Sequence, residues 1–309
     1  MTGYDGWILL TASLVGLTCG LVGALLILRR MAMMADAISH TVLLGIVVAY
    51  LVTRELSGVH MLIGAAAAGL LTAVLVQWLH QLGVRQEASI GIVFTTLFAI
   101  GVVLIATKVG NAHLDVQHAL MGEIAFIPWE TAHVPGLGDI PEAVLMLLAV
   151  FAVVGGLILA FYKEWKITSF DPALAAALGI PAAFLHYLFM AMVSVTAVAS
   201  FDAVGAILVI AMLITPAAAA YLWTDRLSVM LPLSGLFGVI SAFAGYAVAW
   251  LLDTSISGSM AFATGVLFLV SFLAAPRHGV LARRLRARFA DAPPVRTETH
   301  RTAGRTADG

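Results

Sequence analysis

Long apolar stretches recur along almost the whole chain, and they constrain its fold more than any other feature. A helix needs about 20 apolar residues to cross the roughly 30 Å hydrocarbon core of a membrane. The sequence contains nine such segments: 7–28, 31–52, 59–80, 88–107, 143–162, 182–201, 203–223, 229–252 and 257–275. They do not alternate between apolar and polar residues as membrane-barrel strands do, and a mean hydropathy of +1.03 excludes a soluble domain. We predict an all-α integral membrane protein, a polytopic bundle of eight or nine transmembrane helices.

Basic residues are distributed unequally between the two ends of these spans. If nine spans alternate in direction, all but Arg54 and Lys108 of the 16 Lys and Arg residues lie on one side. The positive-inside rule makes that side cytoplasmic. We therefore expect a multi-pass membrane protein with its N-terminus outside and its C-terminus in the cytoplasm. Much of the acidic charge lies at or near the outer side, where it would attract cations.

The end of the chain differs from the rest in composition. Residues 276–309 are rich in arginine and contain no apolar stretch long enough to span a membrane. We expect one transmembrane domain over 1–275, followed by a basic, disordered cytoplasmic tail over 276–309. The arginines of this tail would either contact lipid headgroups or a partner, or act as a positive-inside stop signal.

Asp36 is the one acidic residue within the interior of the nine predicted spans, and His40 follows it four residues later. On a helix this spacing places both side chains on the same face. A carboxylate in hydrocarbon costs at least about 2.5 kcal/mol, so it is seldom kept without a use. Carboxylate and imidazole ligands suit divalent Mn, Fe or Zn, near the middle of the membrane. The alternative is an Asp–His hydrogen bond that only fixes helix packing.

Two ligands from one chain leave the coordination shell of a metal ion incomplete. A second copy or a related subunit facing this one would supply two more, giving two carboxylates and two imidazoles. The outer loop from Lys108 to Glu142 holds further oxygen and imidazole groups. They either pass a cation toward the pathway or are simply solvated. Additional candidate metal-binding residues on the outer side are His113, Asp115, Glu123 and Asp202.

A short helix is predicted on the inner side, between the fifth and sixth spans. Asp171 is a suitable N-cap, Pro172 suits the first helical position, and Gly179 followed by Pro181 ends the helix. This helix would either dock on a cytoplasmic partner protein or cover the inner end of the bundle itself.

Several motifs of enzymes are absent from the sequence. No GxxxxGK[ST] phosphate loop and no HExxH metalloprotease motif occur. The single cysteine, Cys19, excludes intramolecular disulfides and CxxC metal sites. We therefore expect a transport subunit rather than an enzyme, and any ATP would be hydrolysed by a separate subunit. The near-neutral net charge gives no reason to expect a nucleic-acid partner.

Several short stretches occur in order along the chain: Asp-Ala-Ile-Ser-His at 36–40 followed by Gly45, the stretch 87–92, His-Leu-Asp at 113–115, Gly-Glu-Ile at 122–124, and 200–205. Together they resemble the permease subunit of ABC importers for manganese, zinc and iron, the ABC-3 family. The similarity extends to about Ala275. The form of 122–124 is closest to manganese and iron members, so we expect Mn2+, with Zn2+ and Fe2+ as alternatives.

The resemblance implies an importer of the bacterial cell membrane with two permease subunits, identical or paralogous, a cytoplasmic ABC ATPase dimer and an extracytoplasmic metal-binding protein. It implies that the metal is transported and that no cofactor is permanently bound. It also implies that Asp36 and His40 form the mid-membrane gate. The residues it assigns to ATPase coupling are Asp171, Pro172, Ala173, Leu174, Ala175 and Gly179.

Two other functions use the same residues differently. In an ion-coupled secondary metal transporter, Asp36 would carry a proton and His40 would relay it, and uptake would need no ATPase. In a structural or receptor-like membrane protein, the pair would only lock helices together, and replacing Asp36 by Asn would leave uptake intact.

Overall fold

The computed structural model describes residues 3–54, 58–108, 124–129, 131–134, 138–276 and 279–281, and these residues are almost entirely helical. The helices in chain order are α1 (Gly3–Leu28), α2 (Ala32–Thr53), α3 (Gly58–Gln81), α4 (Gln86–Lys108), α5 (Glu142–Ala160), α6 (Tyr162–Phe170), α7 (Pro172–Ala177), α8 (Ala182–Val204), α9 (Ala206–Trp223), α10 (Leu227–Leu252) and α11 (Ile256–Ala274). A 3-10 turn (Ile127–Trp129) and two strands, β1 (Thr131–Val134) and β2 (Gly138–Pro141), precede α5.

Nine helices within these ranges are long and apolar enough to cross a membrane, and they correspond to the nine predicted spans. The predicted helical bundle is therefore confirmed, with boundaries that differ by a few residues. Most of the predicted tail over 276–309 lies outside the described residues.

Two local elements differ from the sequence-based expectation. The antiparallel hairpin of β1 and β2, in register Thr131↔Pro141, lies in a segment predicted as a loop. Helix α6 was also not predicted, because its Lys163, Glu164 and Lys166 interrupt the apolar pattern that identifies spans. Its one fully buried residue, Trp165, packs against Phe161 and Phe189 and holds α6 against the bundle.

Small residues allow the central helices to approach closely. Helix α1 packs against α9 and α10, and α2 packs against α3 and α4. A methyl group on Gly16 or on Gly45 would overlap the backbone of Gly238 or Gly64, respectively. The hydroxyl of Ser234 donates a 2.7 Å hydrogen bond to the carbonyl of Gly20. Such contacts are typical of membrane helices, which associate through backbone proximity and polar groups because lipid gives little hydrophobic driving force.

The chain reverses direction at Gly205, the single residue between α8 and α9. Ser200 of α8 contacts Cys19 in α1, and α9 brings Leu213 beside Gly23, nearer the C-terminal end of α1. Gly205 has φ of 82°, which favours glycine. Beyond the contact between Ser200 and Cys19, α8 continues for four residues, whereas α1 extends for 16 residues back to its start. The turn at Gly205 therefore lies about 18 Å short of the start of α1 along the helix axis.

One end of the bundle, here called the basic end, is where α1, α3, α5 and α9 finish. The basic residues at this end, among those the structure describes, are Arg29, Arg30, Arg85, Lys163, Lys166 and Arg226. Helices α6 and α7 also lie there, between α5 and α8.

Candidate metal centre

Asp36 and His40 lie on one face of α2, as their four-residue spacing predicts. The carboxylate oxygen Oδ1 of Asp36 is 3.7 Å from Nε2 of His40. The two side chains retain 41% and 42% of their surface exposed in the single chain, whereas the intervening Ala37, Ile38 and Ser39 are buried. The pair therefore faces away from the chain's own core, at a depth of about 6–12 Å along α2 from Ala32.

The imidazole of His40 is flanked by two aromatic rings of α4. Phe94 stacks against it with ring centroids 5.7 Å apart, and Phe98 meets it edge-on at 5.8 Å. The two phenylalanines lie one helical turn apart, so they contact the same imidazole from successive turns. They pack against the imidazole while its Nε2 lies 3.7 Å from Oδ1 of Asp36.

The distance between Oδ1 of Asp36 and Nε2 of His40 distinguishes a pair of metal ligands from an Asp–His hydrogen bond that only fixes helix packing. At 3.7 Å it is longer than a hydrogen bond between nitrogen and oxygen. A metal ion bound to both atoms through bonds of about 2.1 Å, at an angle of about 110°, would hold them about 3.4 Å apart. The observed spacing thus fits two ligands of one cation after a shift of a few tenths of an ångström.

The remaining predicted ligands do not join this pair within the described residues. His113, Asp115 and Glu123 lie outside the described ranges. Asp202 lies in the last turn of α8, eight residues or about 12 Å beyond Ser194, which packs beside Ile38 of α2 at Gly69. In the described part of the chain, no three His, Cys, Asp or Glu side chains are placed to hold one metal ion.

The predicted short helix at the basic end is present as α7. The carboxylate of Asp171 accepts a 2.9 Å hydrogen bond from the backbone N–H of Leu174, and Pro172 occupies the first turn. Gly179 adopts φ of 72° just after the helix. Ala175 is buried, while Ala173, Leu174 and Leu178 are exposed. One small residue therefore anchors α7 to the bundle, and its apolar side chains point outward.

Arg29 connects α1 to the segment that precedes α7. Its Nε donates a 3.1 Å hydrogen bond to Ser169 Oγ, and Nη2 donates a 3.0 Å hydrogen bond to Thr168 Oγ1. The guanidinium also lies 5.0 Å from the ring centre of Phe189 on α8. Burial lowers the pKa of Arg29 to about 10, so the group stays charged at neutral pH.

Sequence reasoning missed Arg29, Phe94 and Phe98. The four-residue spacing of the two phenylalanines predicts a shared helix face, but nothing in the sequence places that face against His40. Arg29 resembled an ordinary positive-inside residue, and its contacts are to residues about 140 positions away.

Comparison with known proteins agrees with this architecture. The sequence profile of the ABC 3 transport family matches residues 6–275. The chain is 57% identical to the manganese transport system membrane protein MntD of Bacillus subtilis, over 92% of this chain and 96% of MntD. It is 40% identical to the zinc transport system membrane protein TroD of Treponema pallidum, over 90% of this chain and 76% of TroD.

A solved structure supports the same assignment. PsaBC from Streptococcus pneumoniae, in complex with Fab, aligns with a TM-score of 0.75 and 33% identity. The alignment covers 92% of this chain and 95% of that chain. The chain belongs to the ABC 3 transport family.

Proposed function

We propose that this protein is the permease subunit of an ATP-driven importer of divalent transition metal ions, and that Asp36 and His40 form its gate. The observation that carries the proposal is the placement of this pair. Two metal-ligating side chains, 3.7 Å apart, face outward from a membrane-spanning helix. A carboxylate facing lipid at this depth would be costly, so this face needs a polar partner and an ion.

A second permease subunit supplies that partner. Two ligands are too few for a transition metal ion, which takes four to six. An identical or paralogous subunit facing α2 across a central pathway adds a second carboxylate and imidazole. The exposed Asp36–His40 face then lines the interface between two subunits and is shielded from lipid.

Manganese is the proposed cargo. Mn2+, Zn2+ and Fe2+ all accept carboxylate and imidazole ligands, so the pair itself does not select among them. The relative from Bacillus subtilis, at 57% identity, is named for manganese transport. The relative from Treponema pallidum, at 40% identity, is named for zinc transport. The higher identity favours Mn2+ over Zn2+.

Helix α7 is the proposed contact with a cytoplasmic ATPase dimer. Leu174 in this helix and Leu178 just after it are exposed and offer an apolar surface at the basic end, which the positive-inside rule places in the cytoplasm. We assign residues 1–275 to the transport domain and 276–309 to a cytoplasmic tail. An extracytoplasmic binding protein delivers the metal at the opposite end, and Asp202, His113, Asp115 and Glu123 are proposed to guide it inward.

The proposed transport cycle uses the chain's residues as a switch. The ion loses water as it reaches the pathway, and Asp36 and His40 replace part of its hydration shell. These ligands must bind the ion strongly enough to dehydrate it and weakly enough to release it. Binding and hydrolysis of ATP by the partner ATPases alternate access between the two sides of the membrane.

The test is metal uptake in a bacterial strain that lacks its own importers and receives this permease with its ATPase and binding protein. Cell-associated Mn, Zn and Fe are measured by mass spectrometry, with active or hydrolysis-dead ATPase. Asp36→Asn, which keeps the shape of the side chain but removes its charge, is compared with Asp253→Asn, which removes the charge of an exposed carboxylate just after α10.

We expect accumulation of Mn that disappears with the dead ATPase and with Asp36→Asn. Uptake that survives the dead ATPase would instead support a gradient-driven carrier. Uptake that survives Asp36→Asn would reduce the Asp36–His40 pair to a packing role. Accumulation of Zn or Fe in place of Mn would keep the importer and change its cargo.

Docking of α7 can be tested separately by cysteine cross-linking. The native Cys19 is buried and therefore protected from thiol reagents. A cysteine at Leu178, which is 60% exposed, should cross-link to the ATPase. A cysteine at Leu82, which is 65% exposed at the same end of the bundle, is the matched control. Equal cross-linking at both positions would contradict a specific contact through α7.

A further inference from the structure

Arg29 lies between the helix proposed to contact the ATPase and the helix proposed to carry the metal gate. We propose that Arg29 is a positioning residue that couples α7, the proposed ATPase contact, to α2, which carries Asp36 and His40. This inference rests on the proposed function, because it assumes that α7 docks on an ATPase and that α2 carries the gate. In this proposal, Arg29 transmits movement of α7 to α2.

The link to α7 consists of two hydrogen bonds with fixed geometry. The guanidinium of Arg29 donates to Ser169 Oγ at 3.1 Å and to Thr168 Oγ1 at 3.0 Å, from two different nitrogens. Both acceptors belong to the last turn of α6, and Asp171, the N-cap of α7, follows Ser169 by two residues. A planar donor bound at two points transmits direction as well as position, which a single flexible contact does not.

The link to α2 is a short, ordered turn. Three residues, Arg29, Arg30 and Met31, separate α1 from α2. The backbone N–H of Met31 donates to Leu26, and the N–H of Met34 donates to Met31, each at 2.9 Å. Arg30 adopts φ of 56°, a left-handed conformation that defines the turn. A displacement of the Arg29 backbone therefore reaches the first turn of α2, just before Asp36.

The environment of the Arg29 guanidinium makes it sensitive to such displacement. No carboxylate of the described residues lies within ion-pair distance of it. Its charge is stabilised instead by two neutral hydroxyls and by the ring of Phe189 at 5.0 Å. Each of these contacts depends on close geometry, so movement of α6 and α7 must either carry Arg29 along or leave a partly buried cation unsatisfied.

Arg30 provides a matched control in the next position. Its side chain is exposed and makes no hydrogen bond or ion pair with the described residues. Both arginines lie in the same turn at the basic end and carry the same charge. Replacing each by Gln therefore removes the same charge from the same surface, and only Arg29→Gln removes the contacts to Thr168, Ser169 and Phe189.

The experiment uses the complete transporter, with permease, ATPase and binding protein, reconstituted in liposomes. ATP hydrolysis stimulated by the Mn2+-loaded binding protein and uptake of Mn2+ are measured on the same preparation. For Arg29→Gln we expect uptake to fall about tenfold while hydrolysis stays within about twofold of the parent. For Arg30→Gln both rates should remain those of the parent.

Two results would overturn the proposal. One is a proportional fall of uptake and hydrolysis in Arg29→Gln, because that indicates lost docking or folding and not lost transmission. The other is parental uptake in Arg29→Gln. If Arg29→Gln does not assemble, Thr168→Val with Ser169→Ala keeps the cation and removes its acceptors. The same separation of uptake from hydrolysis in that variant supports the proposal, and its absence overturns it.

Failure of the proposed function is distinguishable from failure of this inference. If the protein is not an ATP-driven metal importer, the parent transporter shows no ATP-dependent Mn2+ uptake. If α7 does not contact the ATPase, a cysteine at Leu178 does not cross-link even when Arg29 is intact. The inference about Arg29 fails alone when both controls succeed and Arg29→Gln behaves like Arg30→Gln.

Discussion

The ring of Phe94 on α4 stacks against the imidazole of His40 on α2, with 29° between the two planes. Phe98 closes the adjacent side at 73°. An imidazole held between two rings loses little further rotational freedom when it binds a metal ion. The two phenylalanines therefore preorganise one ligand of the proposed gate from a neighbouring helix.

Replacing Phe94 by Leu should lower metal uptake several-fold without preventing assembly. The change removes an aromatic contact worth about 0.5–1.5 kcal/mol and leaves the imidazole free to rotate away from Asp36. Uptake in cells and the amount of permease in membranes are both measured. Phe262→Leu is the control, since Phe262 is 66% exposed on α11 and has no role in the proposed pathway. Equal uptake in both variants would show that the stacking is irrelevant to transport.

His40→Ala should reduce uptake at least as strongly as Asp36→Asn, because either change leaves only one ligand from this chain. The comparison variant is His80→Ala. His80 is exposed at the end of α3, where Nδ1 lies 3.1 Å from the carbonyl oxygen of Val84. Metal content of the cells, measured by mass spectrometry, should fall in the first variant and stay at the parental level in the second. A fall in both would point to a general effect of losing histidines.

Gly45→Ala should destabilise the bundle by about 1–3 kcal/mol, since the added methyl group overlaps the carbonyl oxygen of Gly64 and the two helices must separate. Thermal unfolding of the purified protein in detergent measures this effect. Gly155→Ala on α5 is matched to it, because no heavy atom of the described residues lies within 4 Å of the new methyl group. That variant should be as stable as the parent or slightly more so, given the higher helix propensity of alanine. If the Gly45→Ala protein unfolds at the same temperature as the parent, the result would argue against tight contact between α2 and α3.

Asp171→Ala should weaken the contact with the ATPase. Loss of the carboxylate leaves the N–H of Leu174 without its cap, which costs the short helix about 1 kcal/mol. The amount of ATPase that copurifies with the permease should decrease. Asp171→Asn preserves a capping oxygen and should retain the ATPase. If both variants lose it equally, the charge matters and not the cap.

Most of the bundle could be predicted from the sequence because each span carries its own signal. Twenty apolar residues identify a membrane helix without reference to any other part of the chain. The same holds for α7, whose start and end are marked by Asp171, Pro172 and Gly179 within a few residues. The spacing of Asp36 and His40 likewise predicts their common face from local information alone.

The contacts between helices could not be predicted in this way. The approach of Phe94 to His40 and of Arg29 to Thr168 depends on how distant segments pack, and neither partner marks the other in the sequence. Helix α6 was missed for a related reason. Its charged residues suit the membrane surface, and its stability comes from Trp165 packing beneath it and not from its own composition.

The reversal at Gly205 has a consequence for how the protein is inserted into the membrane. Residues 182–223 contain no polar loop, so in a continuous helix they would extend about 63 Å, twice the thickness of the hydrocarbon core. The positive φ of Gly205 lets the chain turn between two helices, so this stretch is placed in the bilayer as a hairpin. Because a hairpin begins and ends on the same side of the membrane, this turn sets the side on which the residues after α9 emerge.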